Sequence, residues 1–157
     1  MLEANNTLAP DVTPTLDEVM RRRADLYQAI LALERAAARP AVAREEEWMS
    51  GVVEALEELE HEIVDHIEVT ERPDGLYDEI VDAAPRLSHS IKLLRAEHPE
   101  MHAATSALRL RLQSGEERSV DQARDEIQHV LGRLVKHRQH GADLLWEAYS
   151  LDTGGGE

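Results

Sequence analysis

The chain has 157 residues, with 17 Lys and Arg against 32 Asp and Glu, eight His, two Trp, three Tyr, no Cys and no Phe, for a formal charge of −15. A hydrophobic share of 42% suffices for the core of one domain, while so negative a field repels phosphate backbones and anionic headgroups, which disfavours nucleic acid and membrane surfaces as partners. Without Cys there is no disulfide, thiol nucleophile or thiolate ligand, so any metal would be held by imidazole and carboxylate.

Residues 1–14 contain Asn5, Asn6, Pro10 and Pro14 without periodicity and read as a flexible arm. They lack the basic region and apolar run of a leader, and no later stretch is apolar for long enough to span a bilayer, so a cytoplasmic location is expected. Thr15 with Glu18 forms a capping box that opens a first helix. Its apolar stripe runs through Leu16, Val19, Leu26, Ile30 and Leu33 and ends near Pro40. Pro40 suits the first turn of a second, long helix, with Trp48, Val52, Leu56, Leu59, Ile63 and Ile67 on one face, reaching Glu71. The Arg72-Pro73-Asp74-Gly75 run is a turn, followed by a short helix from Leu76 to Ala83. Pro85 opens the third long helix, which carries Ile91, Leu94, Met101 and Leu108 inward and ends at Ser114-Gly115. Pro99 lies inside it, removes one amide and crowds the preceding turn, so a kink or break beside His98 is expected. Ser119 with Gln122 caps the fourth long helix, with Ile127, Val130, Leu134, Leu144 and Ala148 inward. Residues 152–157, rich in Gly, form a loose tail. Four long helices over 15–151, short connections and no internal repeat predict an all-α chain folded as an antiparallel four-helix bundle.

At about 100° per residue, His66, His98 and His137 fall on the inward stripes of the second, third and fourth helices. His61 and His89 fall on outer faces, His129 and His140 on a flank, and His102 near the face of His98. Helix rise places the three inward imidazoles at overlapping depths, so they can converge on one site. Neutral imidazole is a donor for iron, zinc or copper, and facing helices of a bundle can present several such donors together with carboxylates. Glu71, Glu97, Asp143 and Glu147 supply carboxylates nearby, Glu147 being closer to the inward stripe than Asp143. Gly141, one turn after His137, leaves room for a ligand or a closely packed helix. Arg23 lies on the inward stripe of the first helix, where a core carboxylate is its expected partner.

His66 and Glu71, the run His98-Pro99-Glu100-Met101-His102, and the run from His137 to Asp143 resemble bacterial hemerythrin-like (HHE cation-binding) proteins, over roughly 15–151. The resemblance implies a non-haem di-iron site held by His and bridging carboxylates, which binds or senses dioxygen or handles iron. On it, His66, His98, His102 and His137 correspond to family histidines. The helix-two and helix-four carboxylates of the pattern fall at Thr70 and Ala142, each with an acid, Glu71 or Asp143, one residue further on.

No phosphate loop, nucleophile elbow or His-Glu-x-x-His motif is present, and the residues point to binding rather than catalysis. The Glu-rich second helix reads as a solvated face, and Trp146 with Tyr149 as cover for the short helix, in preference to a subunit contact. Two functions follow. In the first, the chain is a hemerythrin-like metal-binding domain with His66, His98 and His137 as ligands, Glu71, His102 and Glu147 as additions, iron or zinc as the ion, and dioxygen as the small ligand. In the second, motivated by Arg23 and the displaced carboxylates, it is a metal-free acidic helical module that engages a protein partner or a second copy.

Overall fold

The computed structural model describes residues 13–116 and 118–150, and the arm and tail expected at the two ends fall, but for Thr13 and Pro14, outside them. The described residues form helices and connecting turns, with no strand among them. The helices are α1 (Pro14–Ala38), α2 (Glu45–Glu71), the short α3 (Leu76–Ala83), α4 (Ser88–Gln113) and α5 (Val120–Tyr149), with a 3-10 turn at Pro85–Leu87. Helix α1 packs on α2, α2 on α4, and α4 on α5, while α3 lies against α2 and α1.

The helix ends show which local signals prevail. Helix α1 starts two residues earlier than the Thr15–Glu18 capping box, because the Thr13 side chain accepts from the Leu16 amide and Pro14 supplies the first helical residue. Glu18 is drawn away to Arg72, at 2.6 Å across to the end of α2. Pro40 does not open α2. Residues 41–44 form a turn, with Ala43 at a positive φ of 62°, and the helix begins at Glu45 without a side-chain cap. Glu45, Glu46 and Glu47 fill its first turn, where negative charge opposes the positive end of the helix dipole. Pro85 begins the 3-10 turn and not α4 itself. Helix α4 then runs as one helix through the exposed Pro99, so of the kink or break expected beside His98 the break does not occur. The Ser119–Gln122 capping box forms in full at the start of α5.

Two apolar clusters fill the interior. The larger joins Leu26, Ile30, Leu33, Leu56, Leu59, Ile63, Met101, Leu108, Ile127 and Leu134. The smaller joins Leu16, Val19, Val69, Tyr77, Ile80, Leu94, Leu144 and Tyr149 around α3. Tyr149 covers the short helix as expected and reaches Glu79 at 3.2 Å, whereas Trp146 is 57% exposed. No described helix is long and apolar enough to cross a membrane.

Candidate metal centre

Each long helix passes from one apolar cluster to the other, and each carries one polar side chain at the crossing. On α1 Arg23 stands between Val19 and Leu26; on α2 His66 stands between Ile63 and Val69. On α4 His98 stands between Leu94 and Met101, and on α5 His137 stands between Leu134 and Leu144. All four are buried, none more than 7% exposed, and together they form a polar layer across the core. Burying four such groups costs free energy unless something pairs with them.

The three imidazoles meet. His66 Nε2 and His137 Nε2 are 3.2 Å apart, and one potential ligand atom from each of the three rings lies within 4.8 Å of the others. Ring centroids are separated by 4.8 Å for His98–His137, 5.2 Å for His66–His98 and 5.3 Å for His66–His137. The outward nitrogens of two rings are held by carboxylates. His98 Nδ1 donates to Glu71 Oε2, whose other oxygen takes Arg95 at 3.2 Å. His137 Nδ1 donates to Glu97 Oε1 at 2.9 Å, and Glu97 Oε2 accepts from His140 Nδ1 at 2.8 Å. A carboxylate on Nδ1 fixes the tautomer in which Nε2 keeps its lone pair, which is how metal-binding histidines are commonly oriented. Tyr77 Oη lies 3.4 Å from His98 Nε2; burial raises its phenol well above the ordinary range, so it stays a donor. The Thr70 hydroxyl bonds back to the His66 carbonyl at 2.8 Å and is thereby withdrawn from the site.

Burial keeps the imidazoles neutral. Desolvation pushes His66 well below its ordinary value, and the neighbouring His137, His98 and Arg23 push it further in the same direction. His137 falls to about 4 through desolvation and the nearby His98, against the opposing pull of Glu97. His98 is lowered by desolvation, partly offset by Glu71. Neutral rings are the form that binds metal.

The remaining predicted ligands stand elsewhere. Glu71 is beside the site, but on the far nitrogen of His98. His102 is half-buried one turn along α4, within electrostatic reach of Glu60, whose carboxylate already holds Arg109 and Ser106. Glu147 is exposed, because ten residues past His137 on a helix is about 15 Å along and about 80° off its face. Among the described residues no core carboxylate pairs with Arg23, contrary to expectation. Its backbone carbonyl accepts from Arg138, at 2.9 Å, but among the described residues its guanidinium has no hydrogen-bond or ion-pair partner. The space at Gly141 is taken by that guanidinium, since a Cβ there would stand 2.8 Å from Arg23 Nη1. Glu97 and His140 matter more than the sequence reading gave them. The signal for them was the His137–His140 spacing, which sets two rings on neighbouring positions of one helical turn.

This donor set suits one cation. The 3.2 Å separation of His66 and His137 is close to the ~3.3 Å between ligands of a tetrahedral ion with metal–nitrogen bonds of about 2.0 Å. A di-iron centre finds less support in the residues assembled: among the described residues only the three histidines bring ligand atoms together, with no carboxylate joining them, and Glu147 is exposed. No family model matches the chain, and no curated protein or solved structure matches it either.

Proposed function

We propose that this chain is a hemerythrin-like antiparallel four-helix bundle with a reduced site, which binds a single divalent metal ion through His66, His98 and His137. Sequential packing of the long helices and their short connections support that topology. The observation that carries the metal reading is the convergence of three buried, neutral imidazoles from three helices, two of them oriented from behind by Glu71 and Glu97. Zinc and ferrous iron suit three nitrogen donors and a partly open site. With iron, the domain would serve in oxygen response or iron handling. The role proposed is one of binding.

Equilibrium dialysis against zinc, and against ferrous iron without air, tests the reading on the wild type and on His137→Ala. One ion per chain in the wild type and none in a variant with an unchanged helical spectrum is the expected result. A wild type that takes up no ion, or a variant that binds as well as its parent, would overturn it. The first of those outcomes is the one expected of a metal-free acidic module, a reading favoured by the positive charge of Arg23 so near the triad.

A further inference from the structure

A cavity of about 20 Å³ adjoins the triad and is lined from α1, α2, α3, α4 and α5. Arg23, His66, Thr70, Tyr77, His137 and Gly141 are among the residues that line it. Its volume is room for one water-sized guest, since a cavity of about 10–15 Å³ already holds a water. Two of the lining groups lack what their chemistry requires. Arg23, only 7% exposed, presents its guanidinium here with no acceptor among the described residues. The Nδ1 atom of His66 is fully buried and has no hydrogen-bond partner among the described residues. Thr70 has no proton to give His66 Nδ1, because its hydroxyl hydrogen is shared between the backbone carbonyls of His66 and Ile67.

The tautomer of His66 links this cavity to the triad. In the metal-free protein His137 Nδ1 carries a proton for Glu97, so its Nε2 is an acceptor, and His66 Nε2 donates to it across 3.2 Å. His66 Nδ1 is then an unprotonated acceptor. When His66 Nε2 instead gives its lone pair to a cation, the proton moves to Nδ1, which becomes a donor. The groups around the cavity then include a guanidinium and an imidazole N–H, both without an acceptor among the described residues. The charges point the same way. A dication and Arg23 place three positive charges in the layer, against two carboxylates, and one of these, Glu71, is already paired with Arg95. Buried charge of one sign needs a counter-ion.

We infer that the cavity is an anion site for a monatomic ion such as chloride, held by Arg23 and His66 Nδ1–H, and that it fills together with the cation of the neighbouring triad. The inference rests on the metal reading above. Because linkage between two ligands is reciprocal, chloride must tighten cation binding by the same factor as the cation tightens chloride binding.

The probe is cobalt(II), whose visible absorption reports its own binding, titrated into metal-free protein in sodium chloride and in sodium methanesulfonate of equal ionic strength. Methanesulfonate is too large for the cavity. The expected result is a cobalt Kd about tenfold lower in chloride, within the usual 5- to 150-fold span of coupled sites. Arg23→Met should abolish the difference between the two salts while still binding cobalt. Gly141→Ala, whose new Cβ would displace the Arg23 guanidinium, should reduce it with Arg23 still in place. Equal affinity in the two salts for the wild type, or an undiminished chloride effect in Arg23→Met, would overturn the anion site and leave the triad standing. Failure of the wild type to bind cobalt in either salt would overturn both.

Discussion

Arg23 and the three histidines are each expensive to bury, and the fold meets that cost unevenly. Glu71 and Glu97 satisfy the outer nitrogens of His98 and His137, whereas among the described residues His66 Nδ1 and the Arg23 guanidinium have no hydrogen-bond partner. Such incompletely satisfied polar layers are characteristic of sites kept for binding, since an apolar layer would be more stable. Two expectations follow for single residues. Glu71→Gln should lower metal affinity about 10- to 100-fold, the usual effect of losing a group that orients a ligand, with little change in helicity; competition against a chromophoric chelator measures it. An unchanged affinity would place Glu71 outside the site. The second concerns pH in chelator. The unfolded chain protonates its imidazoles near 6.5, whereas in the fold His137 does so only at about 4, and His66 and His98 are also lowered. The unfolded state therefore binds more protons in this window, and stability is complete above pH 6.5 and falls as pH drops toward 4. Each group adds at most ~1.4 kcal/mol per pH unit. Urea midpoints between pH 7 and pH 4.5 should fall less steeply for His66→Leu than for the wild type; equal slopes would contradict the assignment.

Among the helices, what could be read in advance followed from periodicity. The inward stripes of α2, α4 and α5 placed His66, His98 and His137 correctly, because burial follows the 3.6-residue repeat whatever happens at the helix ends. The ends themselves were decided by competition between short-range signals. Thr13 outcompeted Thr15 because Pro14 is suited to the first helical position, and Pro40 lost to a turn that closes through Ala43. The carboxylates were the least legible part of the site. A long Glu side chain can reach a neighbouring helix, so Glu97, which precedes His98 in sequence, serves His137 instead. Arg23 was correctly placed inward, but sequence periodicity cannot show which partner, if any, lies across the core. Pro99 offers a test of how far α4 tolerates its own defect. It is exposed and lies within an unbroken helix, so Pro99→Ala should restore an amide to the ladder and raise stability by about 1–3 kcal/mol, readable as a higher urea midpoint. A loss of stability would mean that the proline fits a local distortion on which the packing of His98 depends.

For the molecule as a whole, the net charge of −15 attracts cations to its surface without selecting among them, and high salt weakens that attraction. A buried site behaves differently, since an ion bound only by the folded chain raises its stability by mass action. Zinc at about one hundred times its Kd should add ~2.7 kcal/mol. For a chain of this size that is roughly 5–10 °C in Tm, to be retained in 0.5 M salt and abolished by chelator. Surface binding would give a shift that salt removes.

The most direct test is elemental analysis of untagged protein, as isolated and after anaerobic reconstitution with ferrous iron or zinc, together with absorption spectra under air and after reduction. One ion per chain, lost in His137→Ala, is the predicted result. Two irons per chain with oxygen-dependent near-ultraviolet bands would contradict a single-ion site, and no metal under any of these conditions would contradict metal binding itself.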